Sequence, residues 1–359
     1  MELDKREYNL HDFCRYVVAH KEELLEERAR NEVKSYLFFV SKPWEDFFDE
    51  FESREYGDLT TLKVPLGDSE RRDFETYYRF DFGDGIVLVF TLANKGDYES
   101  TLQRVVRRER GIAEVWIRPS ITRKIQDFIL DLYPETRIDY FVAKRGEKDI
   151  APAKLRPRFK RRFSYTGDDG RYVLEEIEHW YGVLPTSISF EVSPDLKFKV
   201  YEEGLVILCT INDQTFDLVS EILGMVTREV EMSRLVATRM RNEVDVLELE
   251  GGHVKIPRVL AGEIHLTEDR KLDEGIALSF VENVKGFSFL DIHAEQGSLV
   301  FSATVIDNEK GCIFGISASE DTIQLVPRYK PTFETFLSFR RQVAELIDED
   351  AELVEVAEG

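Results

Sequence analysis

Apolar residues recur at helical spacing from residue 10: Leu10, Phe13 and Val17 share a stripe that Leu24 and Leu25 continue, with Asn9 placed to cap it and Asp12 facing the helix dipole. The stretch EVKSYLFFVSK then reads as a strand. PWEDFFDEFESREYG reads as a short helix begun by Pro43, whose Trp44, Phe47, Phe48 and Phe51 fall on one face as core packing. From residue 77, YYRFDF, a GDG turn and IVLVFT predict a hairpin. Asp97 is placed to cap a helix over 98–110 that Gly111 stops, and IAEVWIR is the next strand. Ser120 is placed to cap the helix ITRKIQDFILDLY, Pro134 ends it, and RIDYFVAK follows as a strand. Strand, helix, strand, helix, strand with short links predicts a mostly parallel sheet with right-handed crossovers.

Prolines, cations and TGDDG over 154–170 mark a boundary. Beyond it, RYVLEEIEHWYG predicts a helix with Val173, Ile177 and Trp180 inward, and TSISFEV, LKFKVY and LVILCTI predict strands. Asp213 can cap a helix reaching at least Leu223, whereas 225–241 fits helix and strand equally. From Val244 the pattern turns β-rich, with a hairpin around Gly251 and Gly252 and turn signals between further strand-like runs, roughly seven strands in all, as in a sandwich or partly closed barrel. Thr332 is placed to cap a terminal helix. The expected fold is therefore α+β: residues 1–165 an N-terminal α/β domain with a mostly parallel sheet and a basic edge, 166–243 a small middle β/α unit, 244–347 a β-rich sandwich or barrel-like domain closed by a helix, and 348–359 an acidic, solvated tail.

Charge changes this picture. The net charge of −22 predicts a chain that repels nucleic acid and anionic lipid on average, yet residues 100–162 hold 17 Lys and Arg against 8 Asp and Glu. KLRPRFKRRF, at 154–163, is the densest part. No apolar run approaches the roughly 20 residues of a membrane span, and the polar N-terminus lacks a signal-peptide core, so the expected location is cytoplasmic, without membrane association. The three cysteines, Cys14, Cys209 and Cys312, have no CxxC spacing and read as small buried hydrophobes.

In a parallel α/β sheet, ligands collect beyond the C-terminal strand ends, near helix N-termini. Lys95, Arg118, Arg123, Lys124, Lys144, Arg145 and Lys148 are expected there, joined by the following basic run. Arg118, Arg123, Lys124, Lys144, Arg145, Arg156, Arg158, Lys160, Arg161 and Arg162 would neutralise phosphate, with a helix-start hydroxyl from Ser120 and a stacking ring from Phe159. The competing reading makes the same run a counter-charge for acidic patches of its own chain. GxGxxG, GxxxxGK[ST] and GxSxG are absent, and the six histidines lack metal-ligand spacing. A nuclease would need carboxylates and a Lys converging on one site; Asp139 and Lys144, five residues apart on one strand, are expected on opposite faces. The residues thus point to non-catalytic, possible regulatory binding of DNA, RNA or another phosphate-rich partner, with no cofactor. The alternatives are a scaffold that binds a protein partner through the acidic β-rich domain, and a metal-dependent phosphodiesterase or nuclease. Oligomeric state is not legible.

Overall fold

The structure, a computed structural model, describes residues 3, 5–20, 32–66, 74–83, 85–145, 153–156, 161–210, 213–249, 252–268, 270–294 and 299–356. Their contacts form two compact units: one from the described residues of 1–145, 153–155 and 161–229, the other from Arg156 and those from Val230 onward.

In the first unit, Asn9 caps α1 (Leu10–Ala19), its side-chain oxygen accepting from Asp12 N at 2.8 Å. After β1 (Val33–Val40), Pro43 leads into a 3-10 turn (Trp44–Phe47). The helix expected to run on gives way to β2 (Glu52–Tyr56), which Gly57, at φ 68°, folds back onto β3 (Leu59–Pro65). Next come β4 (Phe74–Asp81) and β5 (Ile86–Thr91). Asn94, rather than Asp97, then caps α2 (Lys95–Ser100), and the chain breaks at Thr101 before α3 (Leu102–Arg108). The order continues through β6 (Ile112–Glu114), α4 (Pro119–Leu132), β7 (Arg137–Arg145), β8 (Arg161–Thr166), α5 (Gly170–Tyr181), β9 (Leu184–Ser193), β10 (Leu196–Tyr201), β11 (Leu205–Thr210) and α6 (Asp213–Arg239).

The eleven strands make one sheet in the order β2, β3, β4, β5, β1, β11, β10, β9, β7, β8, with β6 also paired to β1. Every ladder is antiparallel, which overturns the expected parallel α/β domain and its separate middle unit. The reason lies in the crossovers. Both β5 and β6 run antiparallel to β1, so the strands joined by α2 and α3 do point the same way, but β1 lies between them. The same holds for β8 and β9, which α5 joins and β7 separates. A helical link fixes the direction of two strands, and nothing in its length reports a third strand inserted between them.

On one face of this sheet Phe13 of α1 packs against Tyr78, Phe80 and Phe90 at 5.1, 5.3 and 5.6 Å between ring centroids, and Phe163 of β8 meets Tyr181 of α5 at 5.3 Å. The opposite face, over β1, β3, β4 and β5, is covered by α2, α3 and the 3-10 turn. There Tyr36 stacks on Tyr98 at 4.0 Å, and Trp44, Phe47, Leu102 and Val105 complete the core.

The second unit holds the hairpin β12 (Arg241–Leu249) and β13 (Gly252–Leu260), as its glycines imply, then β14 (Gly262–His265), α7 (Glu274–Asn283), β15 (Phe287–Ala294), β16 (Leu299–Asp307), β17 (Ile313–Ser319), β18 (Thr322–Tyr329), α8 (Phe333–Leu346) and β19 (Glu352–Glu355). Six of these strands form an open antiparallel sheet in the order β15, β16, β17, β18, β14, β19, not the expected sandwich or barrel. Two helices cover its apolar side instead of a second sheet: Phe339 of α8 meets Phe280 of α7, Phe287 and Phe314 edge-on at 5.1 to 5.7 Å. β19 belongs to the stretch read as a solvated tail, but it pairs with β14 and buries Leu353.

Candidate functional site

The parallel strand ends that would have gathered the cations do not exist, and the register distributes those residues over both faces. Proline favours the first helical position, so Pro119 makes Arg118 the N-cap of α4 and leaves Ser120 one residue inside, not at the cap. Carboxylates meet the neighbouring cations: Arg118 lies 3.8 Å from Glu229, Lys124 bonds the same Glu229, and Arg123 bonds Glu178 and reaches Asp127 at 3.2 Å. Burial works against the Arg123 charge, but Glu178 and Asp127 outweigh it and raise its pKa. Burial also holds the Glu178 carboxyl above its ordinary value despite Arg123. This group is an internal ion-pair cluster.

On β7, Lys144 bonds Glu202, while Arg145 is buried and donates to the carbonyls of Tyr181 and Gly182 at 3.2 and 3.0 Å, closing the left-handed end of α5. Arg145 thus ties β7 to the stop of the next helix. Lys95 is exposed on α2, on the other side of the sheet from α4, with Glu99 at 3.7 Å. Arg156 is exposed at φ 50°, in the second unit. Lys148, Arg158, Phe159 and Lys160 lie outside the described residues.

Arg161 and Arg162 differ from the α4 cations. They sit on β8, the last strand of the sheet, and neither has a carboxylate partner among the described residues. The Arg161 guanidinium lies over the Tyr181 ring at 4.5 Å. Beside it, at the end of α5, Lys154 Nζ donates to His179 Nε2 at 2.7 Å and stands 5.6 Å from the ring centre of Trp180, which is 41% exposed although its helical position predicted an inward side chain.

Alternation puts Arg162 on the opposite face from Arg161. Cross-strand partners then define two rows on that face. Thr166, Tyr140, Ser189 and Lys199 form one; Ser164, Val142, Ser187 and Tyr201 form the other, with Arg162 and Lys144 paired alongside. Ser187 and Ser189 are buried between the longer side chains of β7 and β10. A register shift between Ile138 and Tyr140 returns Asp139 to this face, where it bonds Lys197, so Asp139 and Lys144 are not divided by the sheet as a regular strand would divide them. Burial opposes ionisation of Asp139, but the bond from Lys197, with the Ser189 hydroxyl close by, lowers its pKa overall. Burial, with Tyr140 and Glu32 nearby, pushes Tyr201 up to about 12.

Sequence reasoning missed this platform, because it exists only once β7 to β10 are known to be neighbours. It also missed Arg104 and Arg107 of α3, exposed and without carboxylate partners among the described residues. Their signal was present as the three-residue spacing in LQRVVRRER.

With this geometry in place, two comparisons bear on it. The model of the AF_0896_M family, described as a family middle domain, matches residues 116–203, from the approach to α4 to just beyond β10. An uncharacterized protein of Archaeoglobus fulgidus is 24% identical over 277 residues, covering 74% of this chain and 74% of that protein. The matched middle segment contains α4, β7, β8 and α5, hence the α4 cations with Glu178, but not their partner Glu229, and the β8 arginines.

Proposed function

We propose that this protein binds a phosphate-rich polymer, nucleic acid first, without chemical turnover, and that the contact is made by β8 and its surroundings rather than by the cations of α4. One observation carries this reading: Arg161 and Arg162 have no carboxylate partner among the described residues, whereas Arg118, Arg123, Lys124 and Lys144 each have one. A cation already neutralised by its own chain has little charge to offer a phosphate; an exposed one releases counterions on binding.

The test is fluorescence anisotropy of labelled oligonucleotides over a salt series, comparing wild type with an Arg161→Gln/Arg162→Gln variant and an Arg123→Gln/Lys124→Gln variant. Loss of two phosphate contacts lowers the slope of log K against log salt by roughly 1.4 to 1.8. That change is expected for the β8 pair and not for the α4 pair. Equal effects from both variants would overturn the assignment to β8.

A second reading has its own support. The pairing of Arg118, Arg123, Lys124 and Lys144 with acidic residues of the same chain is what a counter-charge looks like, and the net −22 chain would then dock a basic protein. Under that reading, charge reversal at Arg161 alters assembly and leaves nucleic acid unbound at every salt concentration.

A further inference from the structure

We infer that the face of β7, β9 and β10 turned away from α5 is a stacking platform for unpaired bases, so that the polymer bound is single-stranded nucleic acid. This rests on the proposed polyanion reading and narrows it to one ligand class. Tyr140 on β7 and Tyr201 on β10 flank β9, where the residues of the same face are Ser187 and Ser189. Two strand spacings, about 10 Å, separate the strands that carry the rings. Ser187 and Ser189, at 7% and 0% exposure, lie beneath the surface of this face, and the half-buried Tyr140 and Tyr201 are the aromatic side chains that border them.

The charges of this face fit a backbone with exposed bases better than a duplex. Lys144, Lys197 and Lys199 are held by Glu202, Asp139 and Glu32, which leaves Arg162, exposed at the β8 margin, as the cation of this face without a carboxylate partner among the described residues. Phosphate contact alone is therefore limited here. Rings that accept any base supply the remainder, and paired bases, whose faces are already stacked, cannot use them. Tyr201 keeps its proton far above neutral pH, so the phenol adds no negative charge that would repel the strand.

The experiment compares a labelled single-stranded RNA, its duplex and inorganic polyphosphate against wild type, Tyr140→Leu/Tyr201→Leu and Tyr140→Phe/Tyr201→Phe, with circular dichroism to verify folding. The Phe variant keeps the rings and should bind single strands as wild type does. The Leu variant should lose roughly tenfold or more in single-strand affinity per ring, with polyphosphate affinity unchanged. If wild type binds all three ligands alike and the Leu variant matches it, the platform is refuted while polyanion binding stands. Failure of all three ligands to bind removes the polyanion reading and this inference with it.

Discussion

At the residue scale, Asp139 ties the sheet face to pH. Its folded pKa is depressed, by Lys197 and Ser189 against the opposing effect of burial, so its contribution to stability is present above the ordinary Asp value near 4 and is lost as pH falls through the folded value. Denaturant melts from pH 7 to 2 should show that Asp139→Asn flattens the acid limb below about pH 4. An unaltered acid limb would show that the Lys197 bond does not hold the carboxylate. Gly204 is a second local test: it sits at φ 70°, and a Cβ there would lie 2.3 Å from the backbone oxygen of Val115. Gly204→Ala should cost about 2 kcal/mol or more, read as a lower denaturation midpoint. Single-residue signals are legible in the sequence where they act locally. Asn9 caps α1 as expected, and Gly182 stops α5. Ser120 and Asp97 do not cap their helices because Pro119 and Asn94 begin them at other positions, a competition between neighbouring starts that composition alone does not rank.

At the element scale, most strands and helices are visible from periodicity, but strand neighbours are not. The apolar run IVLVFT reads equally as a central strand of a parallel or an antiparallel sheet, since both faces are buried in either case. The ambiguity at 225–241 resolves as one helix, α6, passing through Gly224 and ending at Arg239, before strand begins at Arg241. A Cβ added at Gly224 would meet nothing within 4 Å, so Gly224→Ala should stabilise the protein by about 0.5 to 1 kcal/mol, raising the melting temperature. A lower one would mean the helix does not continue there. The C-terminal segment makes the opposite case. Its acidic composition reads as solvated, yet Ala351 and Leu353 are buried, Asp348 accepts from Thr267 N at 2.7 Å, and β19 completes the sheet beside β14. Removing residues 351–359 should therefore introduce an earlier thermal transition through loss of that strand. A single unchanged transition would contradict its place in the sheet.

At the scale of the whole molecule, acidic segments flank a basic stretch along the sequence, and the structure divides the cations of that stretch in two. The α4 cations are held in internal ion pairs, while β8 presents arginines at a sheet margin, next to the lysine and tryptophan at the end of α5. Sequence could show the cations and not this division, because their carboxylate partners, Glu178, Glu202 and Glu229, are distant along the chain. Among the described residues no helix is long and apolar enough to cross a membrane. The measurement that bears most directly on the account is the salt dependence of single-stranded oligonucleotide binding by the full chain, from about 50 to 500 mM salt. A linear fall of log K with log salt is expected, at a slope that decreases when Arg161 and Arg162 become glutamine. No binding at the lowest salt would contradict it and leave the basic middle as internal counter-charge.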